Sequence, residues 1–78
     1  MRYSLFILPR AVKELENLEK REYQKVKQAI LQLASNSRPS GCLKLTGREG
    51  WKIRVGNYRV VYEINDSEKR LIVLDVGH

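Results

Sequence analysis

Lys52, Arg54 and Arg59 stand on either side of a Gly56-Asn57 pair, within the run Trp51-Lys52-Ile53-Arg54-Val55-Gly56-Asn57-Tyr58-Arg59-Val60-Val61-Tyr62. The first flank alternates apolar with basic residues, the period of a half-buried strand, and Gly-Asn between two such runs predicts a two-residue hairpin loop of type II′. Loop length sets register. Counting outward pairs Val55 with Tyr58, Arg54 with Arg59, Ile53 with Val60, Lys52 with Val61 and Trp51 with Tyr62. Successive side chains point to opposite faces, so Trp51, Ile53, Val60 and Tyr62 supply an apolar face and Lys52, Arg54 and Arg59 project from the other. Like charges directly opposed across strands destabilise a sheet, by a magnitude similar to the ~0.2–1 kcal/mol that a favourable pair contributes. An anion between them reverses the sign, and a guanidinium fork matches phosphate oxygens with two directed hydrogen bonds. The chemistry indicated is therefore phosphate binding, with an RNA backbone as the candidate ligand. Two plainer readings compete: three solvated cations on an exposed sheet face, or relief of the repulsion by an Arg54–Glu63 pair.

His78 is the only histidine, and imidazole is by type a proton donor or acceptor near neutral pH, with a plain solvent-exposed role as the competing reading. Trp51, Tyr58 and Tyr62 are of the kind that stack on bases in single-strand binders, but their apolar-face positions assign them to packing. Lys13, Lys20, Arg21, Lys25 and Lys27 read either as solvated helix faces or as contacts to a large RNA scaffold. Cys42 is alone, which excludes an intramolecular disulfide and a multi-cysteine metal site and points to a reducing compartment. No metal-ligand cluster or cofactor motif is visible.

The elements that must position these residues follow from the remaining pattern. Tyr3 to Leu8 reads as a first strand, and Pro9 suits the first turn of a helix running to about Leu18 with Ala11, Val12, Leu15 and Leu18 as its apolar stripe. After a break near Glu19-Lys20-Arg21, Tyr23, Val26, Ile30 and Leu33 follow helical spacing, with Ala29 on the same face, and the pattern fades near Ser35. Residues 36–41 favour a surface crossing, anchored by Leu43 and Leu45. Trp51 to Val55, Tyr58 to Asn65 and Leu71 to Val76 read as strands, with a turn at Asp66-Ser67. The expected fold is α+β in the order β-α-α-β-β-β: a helical hairpin packed on one face of a mainly antiparallel four-stranded sheet, its other face free for function.

Seventy-eight residues, 42% apolar and 31% charged, suit one globular domain, 1–78. The net charge of +6 favours nucleic acid or an acidic protein partner. No apolar stretch approaches the ~20 residues of a membrane span, and Met1-Arg2-Tyr3-Ser4-Leu5 leads into a strand pattern instead of a signal-peptide core. A cytoplasmic location without membrane attachment is expected.

The sequence resembles the RelE branch of the RelE/ParE superfamily, toxins of type II toxin–antitoxin systems, over nearly the whole chain. The carriers are Tyr3-Ser4-Leu5-Phe6-Ile7-Leu8-Pro9-Arg10-Ala11, Leu43-Lys44-Leu45-Thr46-Gly47, the Trp51–Tyr62 run and Val76-Gly77-His78. The resemblance implies a RelE-like fold and a metal-independent endoribonuclease that cuts messenger RNA in the ribosomal A site and is silenced by a cognate antitoxin. In that scheme a ribose 2′-hydroxyl attacks its neighbouring phosphodiester, leaving a 2′,3′-cyclic phosphate and a 5′-hydroxyl. The family's basic catalytic positions carry over to Lys52, Arg54 and Arg59: Lys52 to take the 2′-hydroxyl proton, the arginines to stabilise the phosphorane, with His78 the candidate proton donor. Related toxins continue past Val-Gly-His with basic and aromatic residues, so a domain lacking that C-terminal tail is expected. A ParE-like gyrase inhibitor and a noncatalytic RNA- or antitoxin-binding form are the alternatives.

Overall fold

The computed structural model describes residues 2–78. The elements are β1 (Ser4–Ile7), α1 (Pro9–Glu16), α2 (Lys20–Leu33), β2 (Leu43–Lys44), β3 (Trp51–Val55), β4 (Tyr58–Asn65) and β5 (Arg70–Gly77). They form one sheet in the order β1-β5-β4-β3-β2. β1 runs parallel to β5, and the other pairings are antiparallel. The α+β architecture with a helical hairpin is the expected one, but the sheet has five strands instead of four. The additional strand is β2, which pairs Leu43 with Lys52 and Lys44 with Trp51. Two residues are too few to show a periodic pattern. α1 is also shorter than its apolar stripe suggested, ending at Glu16 with Asn17 as C-cap, and Val12 lies at the exposed edge of that stripe.

The core is a single layer between helices and sheet. Ala11 and Leu15 of α1 and Val26, Ile30 and Leu33 of α2 pack over Ile53, Val60, Tyr62, Leu71, Val73 and Val76. Tyr62 is fully buried, and its hydroxyl donates to the Ser37 carbonyl at 2.8 Å, which satisfies the phenol and holds the 36–42 crossing against the sheet. Burial pushes its pKa well above the ordinary tyrosine value.

Two features of β5 shape the open face. β1 covers its edge only as far as Val73. Beyond that point the start of α1 takes over: the Leu8 N–H donates to the Val73 carbonyl at 3.0 Å, Arg10 Nε donates to the Leu74 carbonyl at 3.1 Å, and Glu14 Oε1 accepts from the Val76 N–H at 2.9 Å. Arg10 and Glu14 are four apart on one helix face, which is why both reach the same strand. The second feature is a register shift against β4: Tyr62 pairs with Val73 and Val61 with Asp75, leaving Leu74 as the extra residue of a β-bulge. Leu71, Val73 and Val76 therefore all face the core despite their uneven spacing. Asp75 is placed beside Val61 on the open face.

Candidate phosphate-binding site

The β3–β4 hairpin has the register that loop length dictated, with Arg54 opposite Arg59, Lys52 opposite Val61 and Val55 opposite Tyr58. Gly56 has φ of +60°, while Lys69 is the only non-glycine residue with positive φ among those described. A positive φ at the first central position alone is the type II′ signature. Ile53, Val60 and Tyr62 are buried under the helices. Arg54 and Arg59 are exposed on the opposite face, and Lys52 is half-buried beside them.

None of the three cations is neutralised by a carboxylate. The ion pairs among the described residues are Arg38–Asp66, Lys44–Glu49 and Arg70–Glu68. The Arg54–Glu63 pair considered from the sequence does not form. Glu63 pairs in register with Ile72, four residues along β4 from Arg59, a separation of about 13 Å along an extended strand.

Lys52, Arg54 and Arg59 line a cleft of about 290 Å³ with Asn57, Tyr58 and His78. The His78 ring lies against Tyr58, with centroids 5.2 Å apart and planes at 54°. The hairpin and the end of β5 thus bring together all four residues singled out in the sequence. A second cleft, of about 240 Å³, shares Lys52 and Arg59 and adds Arg10, Thr46, Arg48 and Asp75. Sequence reasoning missed Arg10, Arg48 and Asp75, which come from α1, the β2–β3 loop and β5. For Asp75 a signal existed: the apolar spacing Leu71, Val73, Val76 breaks the period of two and marks the bulge. Among the described residues no three His, Cys, Asp or Glu side chains gather as a metal-ligand group.

Trp51 does not offer a free stacking surface. The Arg38 guanidinium lies 5.0 Å from its ring centroid and the Lys44 ammonium 5.7 Å.

The model of the family described as ParE toxin of the type II toxin–antitoxin system, parDE, matches residues 5–78. The chain belongs to the RelE/ParE superfamily. Among solved structures, this toxin of a type II toxin–antitoxin system is similar to a mutant of the E. coli toxin RelE in the free state. That match has 29% identity and a TM-score of 0.81, over 99% of this chain and 83% of the other. It is also similar to the archaeal RelE–RelB complex from Pyrococcus horikoshii OT3, at 28% identity and a TM-score of 0.88, over 99% of this chain and 94% of the other. The RelBE2 toxin–antitoxin complex of Mycobacterium tuberculosis, at 22% identity and a TM-score of 0.88, shares the fold over 100% of this chain and 99% of that one. No protein in the curated set matches the chain. No helix among the described residues is long and apolar enough to cross a membrane.

Proposed function

We propose that this RelE/ParE-family toxin is a ribosome-dependent endoribonuclease that cleaves messenger RNA and is held inactive by a cognate antitoxin. The observation that carries the reading is the direct opposition of Arg54 and Arg59 on the open sheet face, unpaired with any carboxylate and beside Lys52 and His78. Such a face is electrostatically incomplete without an anion, and two guanidinium forks suit the non-bridging oxygens of one phosphodiester. The antitoxin partner is supported by the RelE relatives solved as complexes with RelB antitoxins.

In the proposed reaction the ribose 2′-oxygen attacks phosphorus as its proton passes to the neutral-amine form of Lys52, the form with a lone pair to act as general base. The P–O5′ bond breaks, and the departing 5′-oxygen takes a proton from His78. The products are a 2′,3′-cyclic phosphate and a 5′-hydroxyl. Arg54 and Arg59 remain protonated throughout and stabilise the charge that builds on the equatorial oxygens.

The matched family model carries the ParE description, which favours a second reading, inhibition of DNA gyrase without cutting RNA. One experiment separates them. Translating ribosomes and messenger RNA are incubated with the toxin and cuts are mapped by primer extension, beside a gyrase supercoiling assay. Cuts that vanish in Lys52→Ala and Arg59→Ala support the nuclease. Gyrase inhibition with intact RNA replaces it with the second reading.

A further inference from the structure

We infer that Asp75 is a specificity-determining residue that selects guanine at the base next to the bound phosphate, an inference that rests on the open face binding single-stranded RNA. The starting observation is a carboxylate where the charge pattern does not call for one. Asp75 is half-buried, lies in the 240 Å³ cleft with Arg10, Arg48, Lys52 and Arg59, and makes no ion pair with any of them. Among the described residues it is also the only Asp or Glu lining either cationic cleft. A residue there purely to balance charge would close onto one of four neighbouring cations.

Its placement is set by the bulge. With Leu74 as the extra residue, Asp75 pairs with Val61, and Val61 pairs with Lys52 on its other side. Asp75 and Lys52 therefore flank Val61 in one row across the sheet, with Cα atoms about 10 Å apart at ordinary strand spacing. Aspartate has a short stem, so its carboxylate stays near the sheet, whereas Lys52 and Arg59 reach outward on long ones. A phosphate held by Arg54 and Arg59 leaves the attached nucleotide free to lower its base onto Val61 and Leu74, with the edge of that base toward Asp75. The cleft is smaller than the ~300 Å³ at which drug-sized pockets begin, in keeping with one base and not a whole nucleotide. Guanidinium planes such as those of Arg10 and Arg48 stack on unpaired bases.

An ionised carboxylate is an acceptor only, with two oxygens side by side. Guanine alone among the four bases presents two adjacent donors on its Watson–Crick edge, N1–H and N2–H. Adenine and cytosine each set one amino donor beside a ring-nitrogen acceptor, and uracil sets one N–H between two carbonyl oxygens. Three of the four bases thus turn an acceptor toward Asp75. Asp75→Asn replaces one acceptor by a donor at nearly constant shape, a pair that adenine, cytosine and uracil all match.

The test uses uridine pentamers carrying a single central guanine, adenine or cytosine, with binding read by fluorescence polarisation on the full chain. The guanine pentamer is expected to bind about tenfold or more tightly than the adenine one, the discrimination of one bidentate base contact. Asp75→Asn should remove or invert that preference without lowering affinity for the all-uridine pentamer. Asp75→Ser, a second variant with no carboxylate, should level the three. Equal affinity for guanine and adenine pentamers in the unaltered protein, or a guanine preference that survives both variants, overturns the assignment. Guanine preference without cuts in ribosomal messenger RNA upholds Asp75 and overturns only the nuclease reading. Cuts with no enrichment of guanine beside them do the reverse.

Discussion

Arg54 and Arg59 differ from Arg38, Lys44 and Arg70 in what surrounds them. Lys44 and Arg70 have carboxylate partners, and Arg38 is engaged by both Asp66 and the Trp51 ring. The hairpin arginines stand directly opposite each other in the β3–β4 register. Fork geometry and charge can be separated at this site, because lysine keeps the charge but presents a point donor. Arg59→Lys is expected to retain most RNA affinity and to lose about 10²-fold in cleavage rate, the size of effect seen when one transition-state donor is removed. Single-turnover cleavage and equilibrium binding measured on the same preparation check this. A parallel loss of both would mean that Arg59 holds the RNA without contributing to the chemical step.

At the scale of elements, the site depends on β5 being aligned by α1 and offset by its bulge. The Glu14 carboxylate accepts from the Val76 N–H at the point where β1 has run out. Val76 is 3% exposed, so Glu14→Ala leaves a donor that water reaches poorly and should cost about 1–3 kcal/mol. Glu14→Gln, which keeps an acceptor oxygen, should cost less. Urea unfolding midpoints of the two variants decide it, and equal losses would reject the hydrogen bond as the cause. This alignment was not legible in the sequence, since it joins Glu14 and Arg10 to strand residues sixty-two and sixty-four positions away. The hairpin was legible because its information is local: Gly56-Asn57 sets the turn, the turn sets the register, and alternation then sorts Lys52, Arg54 and Arg59 from Ile53 and Val60. β2 escaped because two residues carry no period. Arg10 and Arg48 escaped because only the closed sheet brings a helix start and a loop beside Arg59. His78 stands out in the sequence by residue type and by the Val76-Gly77-His78 segment, and its ring contact with Tyr58 adds a position.

Over the whole molecule, a net charge of +6 is divided between the open sheet face and exposed helical cations such as Lys20 and Lys25. If phosphate binds at the hairpin, the two sets must respond differently to salt. Each phosphate contact on single-stranded RNA contributes about 0.7 to the slope of log affinity against log salt. Arg54→Ala should flatten that slope by about this amount for a short RNA, whereas Lys25→Ala should leave it unchanged; identical slopes for both variants would argue for diffuse attraction. Long-range order is held at the other end of the sheet, where Asp66 of the β4–β5 turn joins Arg38 of the 36–42 crossing at 3.0 Å and accepts from the hydroxyl of Tyr3, just before β1. The Arg38 guanidinium foremost, and the Tyr3 hydroxyl after it, hold the Asp66 carboxyl below the usual carboxylate range. The folded chain thus binds that proton more weakly than the unfolded one, so the stabilisation is complete above the ordinary carboxylate pKa of ~3.9 and is lost as pH falls through the lowered folded value. Asp66→Asn should remove this part of the acid sensitivity. Urea midpoints taken between pH 7 and pH 2 would then show the unaltered chain and the variant converging toward the acid end; curves that stay parallel would show that the cluster does not couple to protons.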